Sequence, residues 1–365
     1  DTLRGAASSP FKKMFGMKGG WKKGQQVTLK ELMRHAVESG QTHIIPEQFE
    51  KIYFHWIDNL RDWCISRQIW FGHRIPVYYR KQGISNEQFS ILNDGFASRQ
   101  EIYVGEQSPA VGEWEQDPDT LDTWFSSAAW TFSALGWPDE KEWKELRMYH
   151  PTAVLETGKD ILPFWVARMI LMTAYAIGEI PFRTTYLHGL VRDEQGRKMS
   201  KSLGNIIDPV DMIAKYGADA TRLSLVIGST PGNDVKLSEE KIAGFRNFTN
   251  KLWNISRYIL VNVSDAKTDT NNPKAKTLAD RWILSRLNTL IKEYTAALEM
   301  YQFSRAGEML RDFTWGELAD WYLEIAKVEG GKDAILLHIL NTILRLWHPF
   351  MPFVTEEIWG KLPEG

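Results

Sequence analysis

Cysteine is almost absent: the 365 residues carry one, Cys64. A single thiol excludes an internal disulfide and any zinc site built on cysteine pairs. It fits a reducing compartment, and by itself it reads as a small buried core residue. Net charge is scarce as well, −2 at pH 7, so a nucleic-acid contact has to come from a local basic patch. No apolar run reaches the ~20 residues that span a bilayer. The most apolar stretch, Ile161–Ile177, carries Arg168 and reads as one buried helix. No signal peptide is visible, and His55, His150, His338 and His348 lack ligand spacing. The expectation is a cytoplasmic protein with no membrane partner and no protein-held metal.

Apolar residues make up 43% of the chain and tryptophan occurs 16 times, enough to bury the cores of two or three domains. The chain starts at Asp1 rather than Met, which suggests a missing upstream segment. Residues 1–25 hold Arg4, Lys12, Lys13, Lys18, Lys22 and Lys23 with no acid between Asp1 and Glu31. They read as a flexible basic tail. Helical spacing marks Leu29–Ser39 and, after Pro46, Glu47–Leu60. Ile75–Tyr79 reads as a strand, and residues 81–118 as an insertion of short strands and turns.

The pattern then becomes strand (Ala153–Glu156), turn (Gly158-Lys-Asp160), helix (Ile161–Ile177) and strand (Thr185–Val191). Pro163 falls near the helix start, where its missing N–H costs little. Such a unit implies parallel strands joined by a right-handed crossover. Ligands of these sheets sit beyond the carboxyl ends of the strands. Downstream, helices are expected over Asp208–Tyr216, Asp219–Val226 and Ser238–Val261. After the polar linker 264–277 come amphipathic stripes through Ile283–Leu298, Met309–Ile325 and Ile335–Trp347. They describe a helix bundle. Asn247-Phe-Thr249 and Asn254-Ile-Ser256 fit the glycosylation pattern but lie in a predicted helix and are discounted.

The most informative segment is His188–Asn205, HGLVRDEQGRKMSKSLGN. A strand end runs into a polar turn and then Lys198-Met-Ser-Lys-Ser202, bracketed by Gly196 and Gly204. The glycines permit movement. Two lysines among hydroxyls suit a polyphosphate whose oxygens gain charge as a phosphorus bond breaks. Asp193 and Glu194, adjacent on the turn, read as solvated rather than as a catalytic pair.

This segment resembles the lysine loop of the class I aminoacyl-tRNA synthetases. The resemblance extends over nearly everything from Pro46 to Trp359, through DWCISRQ (Asp62–Gln68), IWFGHRIP (Ile69–Pro76), DTWFSSAAW (Asp122–Trp130), GKDILPFWVARM (Gly158–Met169) and HPFMPFVTEEIW (His348–Trp359). Several of these look valine-type. The implied architecture is α/β plus all-α. Residues 1–43 would be a basic tail and remnant helix. Residues 44–205 would be the second half of a Rossmann-like parallel sheet, with an insertion at 81–150. A helical stem-contact region (206–263), the linker (264–277) and an anticodon-binding helix bundle (278–365) would follow.

The implied activity is ATP-dependent conversion of valine to valyl-adenylate and its transfer to tRNA(Val), with Mg2+ accompanying ATP. Lys198 and Lys201 would be catalytic. Gly158, Asp160, His188, Gly189, Met199, Ser200 and Ser202 would join them around ATP, with Asp160 accepting from the ribose hydroxyls. Trp124, Ile161 and Trp165 would wall a small amino-acid pocket, Ile161 and Trp165 sharing a helix face by their spacing of four. Such a pocket discriminates poorly against an added hydroxyl, a case the synthetases themselves exemplify. Arg246, Lys251 and Arg257 would contact tRNA phosphate. The family's first signature, a HIGH-type tetrapeptide, and its editing insertion have no equivalent here. The missing N-terminal half is therefore a candidate partner, and the chain alone is expected to be inactive or weakly active. The alternatives are a tRNA-binding module without catalysis and an isoleucine-type enzyme.

Overall fold

The computed structural model describes residues 2–4, 26–81, 101–139, 143–263 and 273–363. Most of the basic tail, residues 82–100 of the insertion and residues 264–272 of the linker lie outside the described residues. The chain divides into two units, Asp1–Thr185 and Tyr186–Gly365.

In the first unit β1 (Thr2–Arg4) pairs antiparallel with β2 (Gln26–Thr28). Helix α1 (Leu29–Glu38) starts at a capping box in which the Glu31 N–H donates to Thr28 Oγ1 at 3.2 Å and the Thr28 N–H to Glu31 Oε2 at 2.6 Å. Its apolar spacing buries Leu32, Met33, Ala36 and Val37. After β3 (His43–Ile45), a short 3-10 turn at Glu47–Phe49 leads into α2 (Glu50–Asp58). The hydroxyl of its fully buried Tyr53 donates to Met33 O at 2.9 Å. Strands β4 (Ser66–Arg67) and β8 (Thr120–Leu121) pair antiparallel. Between them, β5 (Val77–Arg80) sits at the centre of an antiparallel sheet with β6 (Ile102–Val104) and β7 (Trp114–Gln116). Helices α3 (Thr123–Ser133) and α4 (Trp143–Tyr149) follow.

Then comes β9 (Thr152–Gly158), α5 (Ala167–Ile177) and β10 (Phe182–His188), in a parallel sheet ordered β3–β10–β9. The two units divide inside β10. Strand β9 takes no second neighbour among the described residues.

Two expectations need correction in this unit. Ile161–Ile177 is not one α-helix. Lys159–Ile161 is a 3-10 turn, Leu162–Val166 a π turn, and the α-helix begins at Ala167. Pro163 offers no N–H to the usual ladder, and the Ala167 N–H donates five residues back to Leu162 O. Cys64 is exposed rather than part of a core. It lies in the extended run between α2 and β4, and the Ser66 hydroxyl beside it lowers the thiol pKa.

In the second unit β11 (Val191–Arg192) pairs with a strand far along the chain. Helix α6 (Pro209–Tyr216), capped by Asp208, leads to α7 (Ala218–Val226). Strand β12 (Val235–Lys236) then lies parallel to β11, and α8 (Glu239–Asn262) follows. The rest is helical: α9 (Leu278–Glu299), α10 (Phe303–Asp312), a π segment (Phe313–Tyr322), α11 (Leu323–Glu329), α12 (Asp333–Trp347) and α13 (Pro352–Trp359). The expected stripe of α9 holds, with Ile283, Leu287, Leu290 and Tyr294 buried in one large core with Leu310, Leu340 and Trp347. The stretch expected as one helix over Met309–Ile325 is interrupted by the π segment, where the Leu323 N–H donates to Leu318 O. That geometry buries Thr314, whose hydroxyl accepts from Trp347 Nε1 at 3.0 Å. Asp280 and Lys332, 1% and 4% exposed at their side chains, form a buried ion pair at 2.8 Å.

Candidate active site

The first unit presents the amino-acid side of the expected site. Strand β9 ends at Gly158, and the turn that follows leaves Asp160 exposed, with Ile161 half-buried at its end. Trp165 is half-buried in the π turn. Because Ile161 closes a 3-10 turn and Trp165 lies in a π turn, the α-helical face they were expected to share does not exist. Trp124, also half-buried, enters from the first turn of α3, which packs against Leu162–Val166. Asp122 caps α3 by accepting from the Trp124 N–H at 2.7 Å. It also pairs with Arg67. Arg168 lies over the Trp63 ring, 3.8 Å from its centroid. DWCISRQ is thereby fastened to the helix that carries Trp124 and to the one that follows Trp165. Two buried polar atoms, Trp165 Nε1 and Thr185 Oγ1, find no hydrogen-bond partner among the described residues. Interior polar atoms are rarely left so.

The second unit presents the lysine loop. His188 is exposed, with its Nδ1–H donating to Gly189 O at 2.8 Å. A Cβ at Gly189 would lie 1.8 Å from Asn233 O and 2.5 Å from Asp234 N. The close approach this glycine permits is therefore to the protein's own backbone. Asp234 in turn accepts from the Leu190 N–H at 3.0 Å and pairs with Arg192. The turn closes where Asp193 and Arg197 bond through their backbones and an antiparallel bridge joins Arg192 to Lys198, with Gly196 in the left-handed region at φ 82°.

Met199 points inward and packs on the cluster of Ala220, Leu237 and Ile242. Lys198, Lys201 and Ser202 face solvent, and neither lysine ammonium has an acidic partner among the described residues of this unit. Ser200 Oγ caps the short turn Lys201–Leu203 by accepting from the Leu203 N–H, and Gly204 ends it at φ 61°. The loop thus packs Met199 half-buried against this cluster and leaves both cations outward, a geometry suited to a multiply charged anion.

Asp193 is a correction. Expected to be solvated, it is 5% exposed. It accepts from Asn205 Nδ2 at 2.8 Å, from the Arg197 N–H at 2.7 Å and from Arg197 Nε at 2.7 Å. The bond from Asn205, followed by those from Arg197, brings its carboxyl down to about 2 against the opposing effect of burial. Glu194 is exposed as expected. The spacing Asp193/Arg197 around a glycine turn was the available signal for this anchor; Asn205, after Gly204, carried none.

Of the expected tRNA contacts, Arg246 and Arg257 are exposed on α8. At about 100° per residue they fall within ~20° of one another. Lys251 lies ~140° away from Arg246 by the same count. It meets the π segment, 3.4 Å from Asp320 Oδ1 and 5.0 Å from the Trp315 centroid. The helix brings the two arginines together and turns the lysine elsewhere. Arg257 also edges a cleft of about 230 Å³ with Trp253, Ser256, Val261, Ile358 and Lys361. No cluster of three or more His, Cys, Asp or Glu side chains able to hold a metal occurs among the described residues.

Residues 17–238 match the family of tRNA synthetases class I (I, L, M and V), and residues 280–365 match the anticodon-binding domain of tRNA ligases. The chain is 48% identical over 340 residues to the valine–tRNA ligase of Dehalococcoides mccartyi (strain CBDB1), covering 90% of this chain and 36% of that protein. It is 48% identical over 348 residues to the valine–tRNA ligase of Carboxydothermus hydrogenoformans, covering 92% and 38%. It spans a little over a third of the length of these relatives.

Among solved structures, a ternary complex of LeuRS, tRNA and LeuAMS from Agrobacterium radiobacter K84 aligns with a TM-score of 0.67 at 24% identity, over 84% of this chain and 41% of that one. Methionyl-tRNA synthetase of Mycobacterium tuberculosis, bound by methionyl-adenylate, aligns with a TM-score of 0.68 at 21% identity, over 92% and 62%. At such identities these two establish the fold. From the lysine loop, the sheet it leaves and the family match over most of both, the chain belongs to the class I tRNA synthetases of the I, L, M and V group and ends in their anticodon-binding domain.

Proposed function

We propose that this chain supplies the second half of the catalytic fold and the tRNA-binding helices of a valine–tRNA ligase. The observation that carries the reading is the lysine loop, with Met199 half-buried against the Ala220–Leu237–Ile242 cluster and the Lys198 and Lys201 ammoniums exposed without acidic partners among the described residues of their unit. In the reaction, the valine carboxylate attacks the α-phosphorus of ATP in line and pyrophosphate leaves; a terminal ribose hydroxyl of tRNA(Val) then attacks the carbonyl of the valyl-adenylate, takes the acyl group and releases AMP. Lys201, with Lys198 beside it, neutralises the departing pyrophosphate, while Ser200 and Ser202 line the loop and Met199 holds its seat. His188 and Gly189 border the adenosine, and Gly158 with Asp160 receives the ribose. Mg2+ accompanies ATP and offsets phosphate charge.

Trp124, Ile161 and Trp165 hold the valine side chain, and Trp165 Nε1 and Thr185 Oγ1 are polar atoms that a bound group or further protein would satisfy. Positioning and charge stabilisation carry the rate, with little covalent work for the protein. Arg246 and Arg257 meet tRNA phosphate along α8, and the bundle meets unstacked anticodon bases.

Valine-dependent exchange of pyrophosphate into ATP, measured for the chain alone and together with the N-terminal portion of a valine–tRNA ligase, tests this reading. Exchange that appears only on addition, and with valine in preference to isoleucine, supports it. Absence of exchange in both, with tRNA still bound, would identify a binding module instead.

A further inference from the structure

Both lysines ride on a backbone whose shape is set by two side chains outside the Lys198–Ser202 run. Asn205 uses its whole amide. Its Oδ1 accepts from the Ser200 N–H at 2.9 Å, and its Nδ2 donates to Lys198 O at 3.3 Å and to Asp193 Oδ2 at 2.8 Å. The first two bonds pin the backbone on either side of Met199. The third ties that clamp to Asp193, which is itself held by the backbone and guanidinium of Arg197. Asp193 is buried, whereas Arg197, Lys198 and Lys201 are exposed. The fixed point of the loop is thus a carboxylate–amide pair at its base, joined across 12 residues of sequence.

We propose that Asp193 and Asn205 are positioning residues that form a releasable clamp, setting the conformation in which Lys198 and Lys201 meet the nucleotide polyphosphate. The inference rests on the nucleotide reading of the loop. Its physical basis is donor–acceptor matching. The carboxylate is acceptor-only, so it orients the Asn205 amide with nitrogen inward and oxygen toward Ser200. The bond to a charged acceptor is stronger than a neutral one. The remaining bonds are short-range, the Arg192–Lys198 bridge and the Ser200 cap on Leu203, so the clamp and the Met199 contact are what tie the lysine run to its base.

Replacing Asp193 by Asn puts an amide nitrogen where the acceptor stood and sets two donors against each other. Replacing Asn205 by Asp sets two carboxylates against each other. Combining both restores one donor and one acceptor between the two side chains, while Lys198 O loses its donor and Arg197 Nε its acceptor.

The test is amide hydrogen exchange on the 365-residue chain, native and as Asp193→Asn, Asn205→Asp and the double variant, with MgATP as the probe ligand. Each single variant is expected to speed exchange at Arg197 and Ser200 about tenfold or more, while the α9 and α12 amides stay as in the native chain. The double variant is expected to exchange more slowly than either single variant, recovering the part of the protection that the bond between the two side chains supplies. Unchanged loop exchange in the single variants would overturn the clamp, as would a double variant looser than both or a loss of protection throughout the unit. If MgATP leaves loop exchange in the native chain unaltered, the nucleotide reading fails while the clamp is still judged by the rescue. If MgATP slows exchange in the native and double-variant loops but not in the single variants, both stand.

Discussion

Glu179 offers a test of the fold that needs no substrate. Gly178, at φ 73°, ends α5 and turns the chain inward, so that Glu179, Ile180 and Pro181 are all buried ahead of β10. Burial pushes the Glu179 carboxyl up to about 7, with Arg183 pulling weakly the other way. The ordinary value is 4.5. Between the two, the folded chain keeps a proton that the unfolded chain has released, so stability falls as pH rises through this window and the loss is complete above it. At about 1.36 kcal/mol per pKa unit the penalty is ~3 kcal/mol.

His150 has the opposite slope. Burial pushes it down to about 4 from 6.5, so the folded chain sheds a proton that the unfolded one retains, and stability rises with pH over that range. In the native protein the two slopes oppose one another where they overlap. Glu179→Gln should remove the first and expose the second. Urea denaturation of the chain from pH 4.5 to 8 should show the variant close to native at the acid end and ~1–3 kcal/mol more stable at pH 8, the range allowing for a buried amide. A variant less stable than native at pH 8, or a difference independent of pH, would refute the reasoning.

Other perturbations reach the second unit. Lys332→Met leaves Asp280 buried with its charge uncompensated and should cost about 3–5 kcal/mol in denaturant. Adding Asp280→Asn, which keeps an acceptor for the Thr277 N–H or the Tyr322 hydroxyl, should return part of it, and a single variant of native stability would show that the pair is dispensable. Gly189→Ala forces a Cβ to within 1.8 Å of Asn233 O. It should lower stability by about 3 kcal/mol or more and open the 230–237 segment to protease; a native melting profile would contradict the close approach. Arg257→Ala, with Arg246→Ala, should weaken tRNA binding and flatten its salt dependence by roughly one ion per arginine, whereas Lys251→Ala should change that slope little. Equal effects of all three would mean that the side chains, not the helix face, decide contact.

Much of this architecture was legible in the residues. The apolar spacing over Leu29–Ser39 and the α9 stripe fix helices through local chemistry, and the structure follows them closely. What was hidden is the non-local part. The π turn at Leu162–Val166 accompanies Pro163, and the π segment at Phe313–Tyr322 carries the buried Thr314–Trp347 bond; a 3.6-residue period encodes neither. Asp193 looked like any turn carboxylate because its partner Asn205 lies on the far side of the loop. Nothing in the sequence showed that the Cβ Gly189 lacks would meet the Asn233–Asp234 backbone. Cys64 reads as core because small apolar residues usually are, yet it is exposed in the extended run between α2 and β4.

The central claim is that the exposed cations of the His188–Asn205 loop act on leaving pyrophosphate. The direct measurement is valine-dependent pyrophosphate exchange by Lys201→Ala, assayed in whichever assembly is active. The account predicts a fall in kcat of about 100-fold or more with KM for valine within about threefold of native, since the lysine's anionic partner gains charge only as the phosphorus bond breaks. A variant that loses kcat and valine affinity together, or retains native exchange, would contradict it.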